Sequence, residues 1–118
     1  RVTVCRSSNG TTCDAAAGNW TGWISFVDTD GDQVVDAGET LLRSSRVKVP
    51  LQVSSTNRAL TFRADGMART NNAARTLVDN TFIVCIPTTR PVNNKRLIAL
   101  NAGSRIALTV PAGNGACP

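Results

Sequence analysis

The sequence predicts an all-β fold, a single small β-sandwich-like domain of about seven short strands over residues 1–118. Prolines, glycines and small polar residues interrupt the apolar runs every few positions, which favours short strands over long helices. Within the runs, apolar and polar residues alternate with the period of two that strands require. A length of 118 residues with 42% hydrophobic and 18% charged residues fits one folded domain.

The first predicted strand covers residues 1–5, where Val2 and Val4 fall on one face. The polar segment RSSNGTT follows, with the reversal signal Asn9-Gly10 near its centre. This segment therefore predicts a turn after the first strand.

Residues 20–43, WTGWISFVDTDGDQVVDAGETLLR, predict a long hairpin. Its first arm alternates over residues 23–27, an acidic loop follows, and Leu41 and Leu42 belong to the returning arm. Trp20 and Trp23 at the start of the first arm are interpreted as core residues rather than as rings that stack on a sugar or a base.

The remaining strands are predicted from alternation and from one strongly apolar run. Pro50 places a break or an edge position in the first of these segments, VKVPLQV. Residues 68–80 lack periodicity and predict a loop with one short helical turn. The predicted strands lie at 47–53, 60–64, 81–86, 96–100 and 105–110, the last two as a hairpin.

The cysteines are Cys5, Cys13, Cys85 and Cys117, and four cysteines allow three pairings. No C-x-x-C unit and no histidine accompanies them, which argues against zinc. An even count in a small strand-rich chain indicates two disulfides and an oxidising compartment, with free cytosolic thiols as the alternative. Cys5 and Cys13 bracket a short turn, so we expect a bond between them. The otherwise untethered C-terminus motivates a second bond, Cys85–Cys117.

The acidic loop holds five of the eight acidic residues in the chain. They occupy positions 1, 3, 5, 9 and 12 of an EF-hand-like pattern, so they are the candidate calcium ligands: Asp28, Asp30, Asp32, Asp36 and Glu39. Position 6, usually glycine, is Gln33, and strand-like segments flank the loop where an EF-hand has helices. We therefore expect a solvated hairpin loop near arginines and no cofactor, with calcium binding as the alternative.

Outside that loop the chain is basic, with a net charge of +5. If the last strands are adjacent, four cations would line one edge and contact nucleic-acid phosphates: Arg90, Lys95, Arg96 and Arg105. Only 4% of the residues are aromatic and none is tyrosine, so base stacking has few candidates. A surface with scattered, solvated charges is the alternative interpretation.

An enzymatic function is poorly supported, and we predict that the chain is not an enzyme. Without histidine, neither a Ser-His-Asp nor a Cys-His set is available. The clustered carboxylates lie in one loop, whereas glycoside hydrolysis needs two of them across a cleft.

Several segments, in this order, resemble the globular head of the GspH/FimT family of type IV pilin-like proteins. They are RVTVCRSSNGTTC, GNWTGWISFVDTDGDQVVDAGETLLR, LTFRADGMA, FIVC and RLIALNAGSRIAL. The second matches the family's tryptophan-containing strand, acidic loop and strand ending in Leu-Arg. Together the segments extend over nearly the whole chain.

The resemblance implies a structural protein whose head follows an N-terminal hydrophobic helix, first a membrane anchor and later part of the pilus core. It implies a minor pilin that helps initiate type IV pilus assembly at or near the tip, or the equivalent pseudopilin of type II secretion. Its partners would be other minor pilins and the major pilin. It would lie in the inner membrane with its head in the periplasm, then in the extracellular pilus.

Some members of this family bind DNA through a Gly-Arg-x-Arg stretch. Here the matching segment, residues 103–107, retains Gly103 and Arg105 but inserts Ser104 and lacks the second arginine. DNA binding is therefore the alternative to an assembly function.

Overall fold

The structure, a computed structural model, describes residues 1–16, 18–71 and 74–117. These residues form nine strands in two antiparallel sheets and no helix, which confirms the all-β prediction. Accordingly, no helix of the described residues could cross a membrane. The strands are β1 (Val2–Arg6), β2 (Gly22–Val27), β3 (Leu41–Arg46), β4 (Gln52–Ser55), β5 (Ala59–Phe62), β6 (Ala68–Arg69), β7 (Asn80–Cys85), β8 (Lys95–Asn101) and β9 (Arg105–Thr109).

One sheet has five strands in the order β3-β2-β1-β5-β6, and the other has four in the order β4-β7-β8-β9. Both predicted hairpins are present, as the β2–β3 pair and the β8–β9 pair. The β2–β3 hairpin carries the acidic loop at its closed end. The chain passes from the first sheet to the second through residues 47–51.

The segment VKVPLQV is not one strand, because the chain turns at Pro50. The Leu51 amide donates to the Lys48 carbonyl at 3.0 Å, and β4 begins only at Gln52. Proline has no amide hydrogen to donate to a ladder, so its alternating neighbours cannot continue as a paired strand. β4 is an edge strand, as the sequence allows.

The segment 68–80 contains a short strand where the sequence predicts only a loop. β6 pairs with β5, and an isolated bridge joins Arg69 to Leu77. The described residues on either side, 68–71 and 74–80, contain no helical turn, and residues 72–73 lie outside the description. Two residues of pairing are too short to produce a recognisable alternation.

Both faces of the five-stranded sheet contribute to core clusters, with different partners. On one face, a core cluster forms beneath the turn after β1 and the acidic loop, and it contains Cys5, Ile24, Phe26 and Ala59, with Cys13 and Val35 packed against it. On the other face, the two sheets meet in a second cluster of Leu60, Ala68, Val78 and Leu100, with Phe62 and Phe82 alongside. Loops take the place of a third layer on the first face.

Both expected disulfides are present, joining Cys5 to Cys13 and Cys85 to Cys117. The first ties the turn after β1 onto the loop-covered core. The second holds the C-terminal segment against the end of β7, where the Asn94 side-chain amide also donates to the Ala116 carbonyl at 3.1 Å.

Candidate functional site

An apolar groove opens between the two sheets, with a volume of about 610 Å³. Because side chains alternate along a strand, each wall presents every second residue. On the four-stranded sheet, Phe82 pairs with Ile98 and Val53 with Val84, so these four side chains share one face. The full lining is Val4, Trp20, Trp23, Arg46, Val47, Lys48, Leu51, Val53, Phe82, Val84 and Ile98.

The apolar face continues beyond the groove onto β9, the other edge strand of this sheet. Ile106 pairs with Leu100 and Leu108 with Ile98, which puts both side chains on the groove side. Ile106 is 71% exposed and Leu108 is 65% exposed. Contiguous exposed apolar surfaces are typical of interaction sites.

The two tryptophans differ in their surroundings. Trp20 is buried, and its ring meets that of Phe82 edge to face with centroids 5.2 Å apart. This confirms its predicted place in the core. Trp23 is half-buried on the groove wall. Sequence reasoning assigned both rings to the core but did not find the groove, which exists only where the two sheets diverge.

The acidic loop is organised around the buried carboxylate of Asp28. Its Oδ1 accepts the Gly31 amide at 2.7 Å, and its Oδ2 accepts the Thr3 hydroxyl at 2.6 Å and the Gln33 amide at 3.1 Å. The Gln33 side chain donates to Thr61, whose hydroxyl lies 2.7 Å from that of Thr3. The loop is therefore attached to β1 and β5 through a buried polar network.

Sequence reasoning missed this network. Thr3 and Thr61 are polar residues within alternating strands, and that pattern usually indicates a solvent-facing side. Gln33 adopts φ 66°, the left-handed conformation for which glycine is normally used. Gln33 therefore makes the turn that its side chain was expected to hinder, and its contact with Thr61 holds it there.

Of the five predicted calcium ligands, three converge. Among the described residues, carboxylate oxygens of Asp28, Asp30 and Asp32 lie within 4.8 Å of one another, and Asp36 and Glu39 are outside that group. Glu39 instead accepts hydrogen bonds from the Asp36 amide and from Thr29, which lower the pKa of its carboxyl. The charge of Asp32, followed by desolvation and the other loop carboxylates, raises the pKa of Asp36.

Two arginines contact the loop through its backbone. The Arg1 guanidinium donates to the Thr29 carbonyl at 2.6 Å, and Arg75 donates to the carbonyls of Gly31 at 3.1 Å and Asp30 at 3.4 Å. These cations lie beside the carboxylates and offset part of their mutual repulsion.

We expect calorimetry to show weak or no calcium binding by this loop. Asp36 and Glu39 lie outside the group of three carboxylates, and Glu39, at the position of the bidentate EF-hand ligand, accepts hydrogen bonds from Thr29 and from the Asp36 amide instead. A sub-micromolar affinity that Asp30→Ala abolishes would contradict this prediction. Asp65→Ala, in a turn away from the loop, is the matched control.

The four cations expected along one edge are not brought together. The last strands are adjacent, as the expectation required, but Arg105 pairs with Asn101 at the far end of β8 from Lys95. Five residues of strand, about 17 Å, separate Arg96 from that pair. Arg90, Lys95 and Arg96 share the other end, where Arg96 donates to the Asn93 carbonyl at 3.0 Å.

The family model described as type II transport protein GspH matches residues 1–104 of this chain. Neither the curated proteins nor the solved structures include a match.

Proposed function

This chain belongs to the GspH family, and from that premise we propose that it is the head of a minor pilin that helps initiate type IV pilus assembly. Proteins of this family are pseudopilins or minor pilins, which act as structural proteins. Within that class, we place this head at or near the pilus tip, docked on other pilin subunits.

The observation that supports docking is the apolar groove with its continuation along Ile106 and Leu108. The lining suits an apolar α-helix, because strand side chains and the Trp23 ring would provide it with an apolar packing surface. We propose that an apolar helix of the kind pilin-like proteins carry fills this groove in the filament. Burial of the exposed side chains would then stabilise the assembled subunit.

The uneven distribution of charge on the head would orient it against neighbouring subunits. The acidic loop extends from the closed end of the β2–β3 hairpin, and no Asp or Glu occurs between residues 80 and 118, which include three strands of the other sheet. Regions of opposite sign on one rigid head favour a particular side-by-side register, because complementary potentials select partner and orientation.

The test is complementation of a deletion strain with full-length protein. We expect the deletion to remove most surface pili and the wild-type gene to restore them. Ile106→Asp with Leu108→Asp should restore few or none, since two carboxylates cannot be buried against an apolar helix without large cost. The matched control is Ala107→Asp with Thr109→Asp, which adds the same charges to the opposite face of β9 and should restore normal piliation.

Three outcomes would contradict the proposal. Equal piliation by both double variants would exclude the groove face from docking. If the deletion strain kept its pili but lost DNA uptake, the head would instead be a DNA receptor. If the deletion strain kept its pili but lost protein secretion, the head would belong to a type II secretion pseudopilus.

A further inference from the structure

One end of the four-stranded sheet exposes apolar side chains that do not line the groove. Gln52 pairs with Cys85, and Cys85 pairs with Lys95, so the segments 47–51 and 86–94 leave the sheet side by side. Val49 is 83% exposed and Val92 is 53% exposed. Together with Ile86, 36% exposed, they form a surface that we call the apolar tip.

The shape of these loops holds the apolar side chains outward. Val49 lies within a turn closed by the Leu51 amide and the Lys48 carbonyl, at 3.0 Å. Val92 lies in a second turn, in which the Asn94 amide donates to the Val92 carbonyl at 3.0 Å. The buried Asn94 side chain donates to the Ile86 carbonyl at 2.8 Å and so fixes this turn against the end of β7. Folding therefore presents these residues in defined positions.

Four cations lie in or directly next to the segments that form the apolar tip. Lys48, Arg90 and Arg96 are exposed and Lys95 is half-buried. The sequence has no Asp or Glu in residues 40–64 or 80–118, the segments from which this end of the sheet is built. A surface that combines protruding aliphatic side chains with cations fits an interface that is both anionic and apolar.

We propose that the apolar tip docks on an anionic lipid surface. The cations would contact phosphate headgroups, and Val49 and Val92 would enter the boundary between headgroups and acyl chains. Nucleic acid fits less well, because Trp20 is buried and Trp23 belongs to the groove wall, so the tip offers no tryptophan on which a base could stack, and valines contribute nothing to phosphate contacts. This contact goes beyond the proposed assembly function, because Lys48 is the one residue named for it that also lines the groove, and none of its residues lies on β9.

The test is co-sedimentation of the 118-residue domain, disulfides intact, with lipid vesicles. One set contains phosphatidylcholine alone and the other adds phosphatidylglycerol, each at low and at physiological salt. We expect binding to the anionic vesicles only, weakened by salt. Val49→Ser with Val92→Ser should reduce the partition constant about tenfold while leaving the salt dependence unchanged.

The matched control is Leu41→Ser with Leu42→Ser on β3, which also replaces two exposed aliphatic side chains without changing the charge, and Leu42 has the same 53% exposure as Val92. This variant should bind vesicles like the wild type. The proposal is overturned if the control weakens binding as much as the tip variant, if the tip variant binds normally, or if no vesicles are bound. Tight, salt-dependent binding of duplex DNA without vesicle binding would also overturn it, in favour of a nucleic-acid contact. Matching unfolding midpoints would show that each variant is folded.

Discussion

Replacing Asp28 with alanine is expected to lower the free energy of unfolding by about 3 kcal/mol or more. The carboxylate is fully buried and accepts three hydrogen bonds, from Thr3, Gly31 and Gln33. The substitution leaves these donors without their acceptor, and each unsatisfied buried donor costs about 1–3 kcal/mol. Urea unfolding, followed by tryptophan fluorescence under oxidising conditions, would measure the change.

Asp36→Ala is the matched control for this experiment, since Asp36 is an exposed carboxylate of the same loop. Neighbouring carboxylates raise the pKa of Asp36, so removing its charge relieves repulsion and should leave stability equal or slightly higher. A loss below about 1 kcal/mol for Asp28→Ala would show that water replaces the carboxylate at little cost. That result would contradict the structural function assigned to the buried network.

Removal of the Cys85–Cys117 bond, with alanine at both positions, is expected to cost about 3–4 kcal/mol in the chain-entropy model. The bond joins residues 32 apart, so it restricts the unfolded chain more than the Cys5–Cys13 bond, whose cysteines are 8 apart. Segment 111–117 should also become accessible to proteases. Urea unfolding and limited proteolysis would measure the two effects.

Asn94→Ala separates the disulfide from the other contact that holds this segment. Its amide donates to the Ala116 carbonyl, so the variant loosens the segment while the covalent bond stays intact. We expect a smaller loss of stability than for the double cysteine variant. An unchanged unfolding midpoint for the double variant would contradict the prediction, and it would imply that β7 and β8 hold the C-terminal segment without covalent help.

The local sequence pattern was sufficient to predict most strands of this protein. Alternation predicted β1, β2, β5, β8 and β9 within a few residues, because each has its own run of period two and a turn signal beside it. β6 was missed since two residues of pairing carry no period, and β4 begins only after Pro50, although the alternation alone would start that strand at Val47. The cysteine pairs could be predicted because one pair brackets a short turn and the other ends an otherwise free segment.

By itself, the sequence determined the all-β class, the hairpins, the disulfide pairs and the concentration of acidic residues in one loop. Tertiary structure decided which side chains meet. The register between β8 and β9 placed Arg105 away from Lys95, and the packing of loops onto the five-stranded sheet made Thr3 and Thr61 part of a buried network. The divergence of the two sheets opened the groove. The spacing of apolar residues and the residue types of a turn are properties of neighbouring residues. Strand register and sheet packing depend on contacts between segments far apart in the chain.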